Sequence, residues 1–307
     1  MATLIKSSGD LIADRRYAVG QDLVASNDHG AAAGLFMQTL EAVPDFVPAW
    51  FALGEALEKI GDPSAAIVAF RKAKELDPRD ALGAGLHLMR LKAEDIHEMP
   101  RDYVRTLFDQ YASRFDEALT GKLAYRGPQL LLDAVTRACT QAKRPVHFGR
   151  ALDLGCGTGL GGAAFRKHID FLAGMDLSPL MVEQARAKGI YDKLSVGDIP
   201  QFLAAERQSA LYQFVLAADV FTYLADLHGV ISGCAEVLER NGLLAFTVET
   251  HAGDGVILGD KLRYAHSSNH VQDSLRKAGI KPLVFENAST RNDGGVAVPG
   301  LVIVAVK

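Results

Sequence analysis

Apolar and small residues recur at helical spacing over residues 16–78, and the pattern repeats at an offset of 34: Val19, Gly20, Leu23, Ala32, Phe36 and Pro44 correspond to Leu53, Gly54, Leu57, Ala66, Phe70 and Pro78. Six matched positions at one offset predict two successive helical hairpins. Gly20, Gly54, Ala32 and Ala66 are small enough for paired helices to approach closely, Phe36 and Phe70 fill the space between them, and Pro44 and Pro78 stop the second helix of each pair. A third unit begins near Ala84, but its register meets Asp95 and Pro100, so residues 84–93 are expected to form a single capping helix.

Residues 101–120 are amphipathic, with Tyr103, Leu107, Phe108, Tyr111, Phe115 and Leu119 at mostly three- and four-residue spacing. Helical patterning resumes after Gly127-Pro128 and runs to about Ala142. From Arg150 the period changes. Strands are expected near 150–154, 171–176, 193–197, 212–218, 242–249, 281–286 and 300–306, with helices between the first five. Such alternation predicts a parallel sheet covered on both faces. The Gly294-Gly295 and Pro299-Gly300 turn signals, with no helix before the last strand, predict that this strand runs antiparallel.

Composition narrows the classes. The chain has 307 residues, 49% of them hydrophobic, enough for a sizeable core. A net charge of -4, a pI near 6.1 and the lack of a dense Lys/Arg run do not support nucleic acid or anionic lipid as a partner. No window approaches a membrane span, and the N-terminal residues lack the apolar region of a secretory signal, so a cytoplasmic setting is expected. Cys139, Cys156 and Cys234 are odd in number and far apart, which argues against a disulfide framework or a structural zinc; His147, His168 and His270 show no ligand spacing, and no metal is expected.

The chemistry lies at the strand ends. Ala151-Leu-Asp-Leu-Gly-Cys-Gly-Thr-Gly-Leu160 is a short apolar strand running into a glycine-rich turn that opens a helix, and four successive strands end in Asp153, Asp176, Asp198 and Asp219. In a parallel sheet a ligand binds outside the carboxyl ends of the strands, where strand order reverses. The segment Leu152 to Gly159 resembles the first motif of class I S-adenosylmethionine (SAM)-dependent methyltransferases, and the 34-residue repeat resembles the tetratricopeptide (TPR) pattern. Together they imply an α/β, Rossmann-like doubly wound seven-stranded sheet with an antiparallel last strand, preceded by a small all-α TPR domain. The expected division is residues 1–99 for the TPR-like domain, 100–145 for a helical lid and linker, and 146–307 for the core. The resemblance assigns the methionine ammonium to Asp153 and the amino-acid part of SAM to the backbone of Gly155, Cys156, Gly157 and Gly159. It assigns the ribose hydroxyls to Asp176, beside Leu177, and the adenine to Asp198 and Ile199. Asp219 and Phe221 follow the fourth strand, where Phe221 would cover the ligand. Tyr111 and Phe115 would form a lid, with Tyr125 and Arg126 as further lid or substrate contacts. A rival is weighed as well: Gly157-Thr-Gly159-Leu-Gly-Gly162 fits the dinucleotide pattern GxGxxG, but a lone match is weak, and Asp153 and Asp198 favour SAM over NAD(P).

Candidate acceptor-side residues are Glu249, His251, Tyr264 and His266, together with Tyr223 and Arg263. Methyl transfer is an in-line displacement, so positioning can suffice and a base is needed only for a protonated acceptor. Two functions stay open: methylation of an O or N atom of a small molecule, or methylation of a protein recruited by the TPR repeats. A homodimer is compatible with either.

Overall fold

The computed structural model describes residues 7–117, 124–208 and 211–307. The chain divides into two compact units, one reaching to Tyr103 and the other running from Val104 to Lys307.

The first unit holds five helices: α1 (Leu11–Ala25), α2 (His29–Ala42), α3 (Val47–Lys59), α4 (Pro63–Leu76) and α5 (Ala84–Arg90). The carboxylates of Asp10, Asp28 and Asp62 accept backbone amides in the first turns of α1, α2 and α4. The 34-residue period has a steric cause. A Cβ on Gly20 would lie 2.5 Å from the Phe36 ring, and one on Gly54 would lie 2.6 Å from the Phe70 ring. Each glycine is the space its hairpin's phenylalanine occupies, and both rings are fully buried. The capping helix is α5, started by the Asp80 carboxylate, which accepts the amides of Ala84 and Gly85 at 2.6 and 2.8 Å.

In the second unit the amphipathic segment does not run as one helix. After α6 (Arg101–Tyr111) a 3-10 turn over Ala112–Arg114 leads to the single turn α7 (Phe115–Glu117); Leu119 lies outside the described residues. Then come α8 (Gly127–Gln141), β1 (Phe148–Leu154), α9 (Leu160–Phe165), β2 (Ile169–Asp176), α10 (Pro179–Ala187), β3 (Lys193–Val196), α11 (Ile199–Glu206) and β4 (Tyr212–Ala217). They are followed by α12 (Leu227–Val237), β5 (Leu238–Glu249), β6 (Val256–Leu258), β7 (Tyr264–His266), α13 (Ser268–Lys277), β8 (Lys281–Asn287), β9 (Asn292–Asp293), β10 (Val296–Ala297) and β11 (Gly300–Val306).

The main sheet has the order β3-β2-β1-β4-β5-β11-β8, parallel except for β11, which runs antiparallel to both neighbours. Strand order therefore reverses between β1 and β4, beside the glycine turn. Alternation splits the strand side chains between two cores. Leu152, Val215, Phe246 and Ile303 pack in one with Leu203, Ile231, Cys234 and Leu275; Ala151, Leu216, Ala245 and Val304 pack in the other with Leu131, Val135 and Cys139. Strand β5 begins four residues before the predicted position. Leu238 already pairs with Tyr212, and a register shift absorbs residues 239–242, where Asn241 is left-handed at φ 64°. The small strands β6 and β7, which extend the sheet beside Glu249, were not expected. Among the described residues no helix is long and apolar enough to cross a membrane.

Gly54→Ala is expected to cost about 1–3 kcal/mol, because its methyl must enter the Phe70 ring. Gly34→Ala, in helix α2 with nothing within 4 Å of the new Cβ, should stabilise by about 0.5–1 kcal/mol. Hydrogen exchange of α1–α4 in the two variants reads the opposite signs.

Candidate active site

The turn after β1 has left-handed backbone at Gly155, Gly157 and Gly159, with φ of 60°, 52° and 94°. Glycine takes these angles without penalty. Cys156 and its neighbours are tied to the next strand: the Cys156 amide donates to the Met175 carbonyl at 2.9 Å, and the Gly157 amide donates to Asp176 Oδ2 at 2.8 Å. Asp176 Oδ1 accepts the Ser178 amide at 2.9 Å. Held by these backbone amides, with Leu177 adding its own, the carboxylate still keeps lone pairs for a ligand's hydroxyls.

Asp153, only 1% exposed, lies beneath the turn, and the Tyr191 hydroxyl donates to its Oδ2 at 2.7 Å. Burial, with Asp176 nearby, pushes Asp153 up to about 7; burial likewise pushes Asp176 up to about 6, against the amides that hold it. Among the described residues neither carboxylate has an ion-pair partner. Two buried, cation-free carboxylates beside a glycine cradle fit a ligand that carries an ammonium, a sulfonium and vicinal hydroxyls. Asp198 is half-buried at the start of α11, followed by half-buried Ile199; Leu177 is also half-buried.

The α6–α7 segment is fastened across this turn. Ser178 Oγ donates to Asp109 Oδ1 at 2.5 Å, Thr158 Oγ1 donates to Asp116 Oδ1, and Lys188 pairs with Asp116 Oδ2 at 2.7 Å. Phe115 lies over Gly157, where a Cβ would meet its ring at 3.8 Å. Phe108 stands edge-on to Tyr223 with centroids 5.1 Å apart and neighbours Phe115 at 6.0 Å. Tyr111 remains 42% exposed, so among the aromatic residues of the α6–α7 segment it is Phe115 that meets the turn.

Behind the ends of β4 and β5 is a charge network. Arg291, 6% exposed, donates to Asp219 Oδ2 at 2.9 Å and to Glu249 Oε1, while Thr290 and Thr247 also hydrogen-bond Asp219. Asp219 takes a left-handed φ of 56°, which aspartate tolerates, and these contacts hold it there. Arg263 pairs with Glu249 at 3.5 Å and lies 5.6 Å from the Tyr223 ring centroid; neighbouring Tyr223, Glu249 and Asp219 push its guanidinium pKa upward despite its burial. Tyr125, beside Asp219, Asp153 and Arg291, is raised well above the usual phenol range by burial.

Several expected site residues have other duties. Glu249 is neutralised by two arginines and is no free base. His251 receives the Gly253 amide on Nδ1 at 3.1 Å, which leaves Nε2 as donor to the Gly255 carbonyl at 3.3 Å, so both ring nitrogens serve their own loop. Tyr264 and His266 are wholly buried on β7; the His266 ring stacks on His270 at 5.6 Å, and burial pushes it down to about 4, leaving it neutral. Phe221 is wholly buried, with its ring against Phe246 in the core. Arg126 fastens a loop, donating from its amide to the Thr290 carbonyl at 2.9 Å and from Nε to the Ser289 carbonyl at 3.0 Å. Conversely, Asp109, Asp116, Tyr191 and Arg291 enter the site although no motif singles them out, because the fold brings together segments many residues apart.

A glycine turn at the strand-order reversal, carboxylates at successive strand ends and an antiparallel penultimate strand of the sheet define a class I methyltransferase fold. Residues 152–246 match a methyltransferase domain, and residues 17–81 match a tetratricopeptide repeat. The chain is an S-adenosylmethionine-dependent methyltransferase that carries TPR repeats. It is 28% identical over 201 residues to Methyltransferase-like protein 27 of Homo sapiens, covering 64% of this chain and 76% of that protein. It is 29% identical over 124 residues to a ubiquinone biosynthesis O-methyltransferase of Xylella fastidiosa, covering 38% of this chain and only half of that enzyme. The structure of Burkholderia thailandensis 1,6-didemethyltoxoflavin-N1-methyltransferase, with bound 1,6-didemethyltoxoflavin and S-adenosylhomocysteine, shares the fold. Its TM-score is 0.50 at 16% identity, over 70% of this chain and 92% of that one.

Arg291→Met should destabilise the protein by about 3 kcal/mol, since it leaves the half-buried Asp219 carboxylate without its cation and Glu249 with Arg263 alone. Urea unfolding measures this, and a loss below about 1 kcal/mol would show that the network is solvated.

Proposed function

We propose that this enzyme methylates an O or N nucleophile of a small molecule. Residues 1–99 would form the repeat domain, 100–145 the lid and linker, and 146–307 the catalytic core. Bound SAM supplies an electrophilic methyl group on a sulfonium. Around it, Asp153 would take the methionine ammonium, the backbone of Gly155, Cys156, Gly157 and Gly159 would lie under the amino-acid part, Asp176 would accept the ribose hydroxyls beside Leu177, and Asp198 with Ile199 would hold the adenine. Phe115, with Tyr111 at the margin, would exclude water, and Tyr125 would close the side nearest Asp219.

The observation that carries the small-molecule reading is the meeting of the lid with the acceptor side. Phe108 of the lid rests on Tyr223, which follows β4 and in turn carries Arg263, so an acceptor approaching the sulfonium would meet an aromatic wall to which the lid contributes one ring. Such a wall suits a flat organic molecule with one polar group. The ubiquinone O-methyltransferase and didemethyltoxoflavin N1-methyltransferase likenesses support the same class. With Glu249 neutralised and His251 tied to its loop, neither serves as a base; acceleration would come from holding the acceptor in line and excluding water. The second reading, a protein acceptor recruited by the repeats, draws on the tetratricopeptide match over residues 17–81.

Incubation of the enzyme with methyl-labelled SAM and a fractionated lysate should put label into the small-molecule pool. Label in the protein pool alone would replace the proposal with the second reading. Asp176→Ala should abolish transfer and SAM binding in calorimetry; retained SAM affinity would remove the ribose assignment. Phe115→Ala should weaken SAM binding about tenfold if the ring shields the site, whereas Tyr111→Ala should have the smaller effect.

A further inference from the structure

Three glycines around the cofactor turn are spaces for one aromatic ring. A Cβ on Gly162 would lie 2.4 Å from the Tyr191 hydroxyl oxygen, one on Gly174 would lie 2.8 Å from its ring, and one on Gly159 would lie 3.0 Å from it. Gly162 completes the literal GxGxxG match, and Gly174 interrupts the apolar run of residues 171–175 in β2. Both are accounted for by Tyr191 rather than by a phosphate. The tyrosine comes from the loop between α10 and β3, crosses beneath α9, and ends with its hydroxyl on Asp153 Oδ2 at 2.7 Å. No sequence pattern announces it.

We propose that Tyr191 is a positioning residue for the cofactor: its hydroxyl orients the Asp153 carboxylate and holds it ionised, so that Asp153 can take the methionine ammonium at neutral pH. The proposal rests on the assignment of that ammonium to Asp153. A phenol that donates to a carboxylate stabilises its charged form, whereas burial destabilises it. Among the described residues, the groups around Asp153 are Asp176 at the end of β2, Cys156 in the turn, Tyr125 ahead of α8, the Gly162 amide of α9 and Tyr191 itself. None carries a positive charge. The Gly162 amide and the Tyr191 hydroxyl are the hydrogen-bond donors that oppose burial there. With Asp153 already pushed up to about 7, loss of the hydroxyl moves its titration above neutrality, and the carboxyl becomes a neutral acid at the pH where the cofactor must bind.

The test is S-adenosylhomocysteine affinity by calorimetry, on the full chain, from pH 6 to 9. In Tyr191→Phe, which keeps the ring in its slot, affinity at pH 7 should fall about fivefold and recover to within about twofold near pH 8.5, because the half-point of the pH dependence moves from about 7 to about 8. A loss equal at every pH, or no loss, overturns the proposal, since a ring that only packs cannot move a titration. Gly162→Ala, which drives a methyl against the hydroxyl, should shift the half-point in the same direction. Asp153→Asn separates the two ideas. If it binds S-adenosylhomocysteine as the wild type does, the ammonium assignment itself fails. If it loses affinity while Tyr191→Phe titrates like the wild type, only the role of Tyr191 fails.

Discussion

The hydrogen bond from the Gly157 amide to Asp176 Oδ2 joins the ends of β1 and β2, and the site is arranged around it. It exists only because Gly155, Gly157 and Gly159 reverse the chain through left-handed backbone, which turns an amide of the first strand's loop toward the carboxylate of the second. The other oxygen of Asp176 fixes Ser178, Ser178 caps α10, and its hydroxyl reaches Asp109 of the lid. One carboxylate thus sets the turn, the next helix and the covering segment.

The cofactor side and the acceptor side use charge differently. Asp153 and Asp176 are buried with no cation partner among the described residues, so burial opposes their ionised forms while backbone amides and the Tyr191 hydroxyl favour them. Asp219 and Glu249 are already neutralised by Arg291 and Arg263. A half-buried network of this kind contributes little net stability but is costly to break in part, which makes it suited to fixing the loop of residues 288–291 against the ends of β4 and β5. The first pair is poised to bind, and the second is committed to holding shape.

Backbone-level features were legible because they rest on local periodicity. The seven strands, the antiparallel last strand and the paired repeats followed from alternation, turn signals and the 34-residue offset. The exceptions have physical causes. The 3-10 turn at Ala112–Arg114 breaks a helix that periodicity continues, in a segment whose Asp116 and Phe115 meet the glycine turn; β6 and β7 are too short to carry a pattern. Among candidate catalytic residues, residue type alone does not show what Glu249, His251 and His266 are engaged with, because their partners lie 2 to 42 positions away.

The sequence by itself determined the glycine turn, the acidic strand ends and the period that pairs Gly20 with Phe36 and Gly54 with Phe70, since each is a matter of spacing along the chain. Only the tertiary structure decided which carboxylates stay without a cation and which are neutralised, that Phe221 belongs to the core, and that Gly162 and Gly174 make room for Tyr191. Burial and charge pairing depend on what the fold brings alongside, and here those neighbours come from loops tens of residues apart.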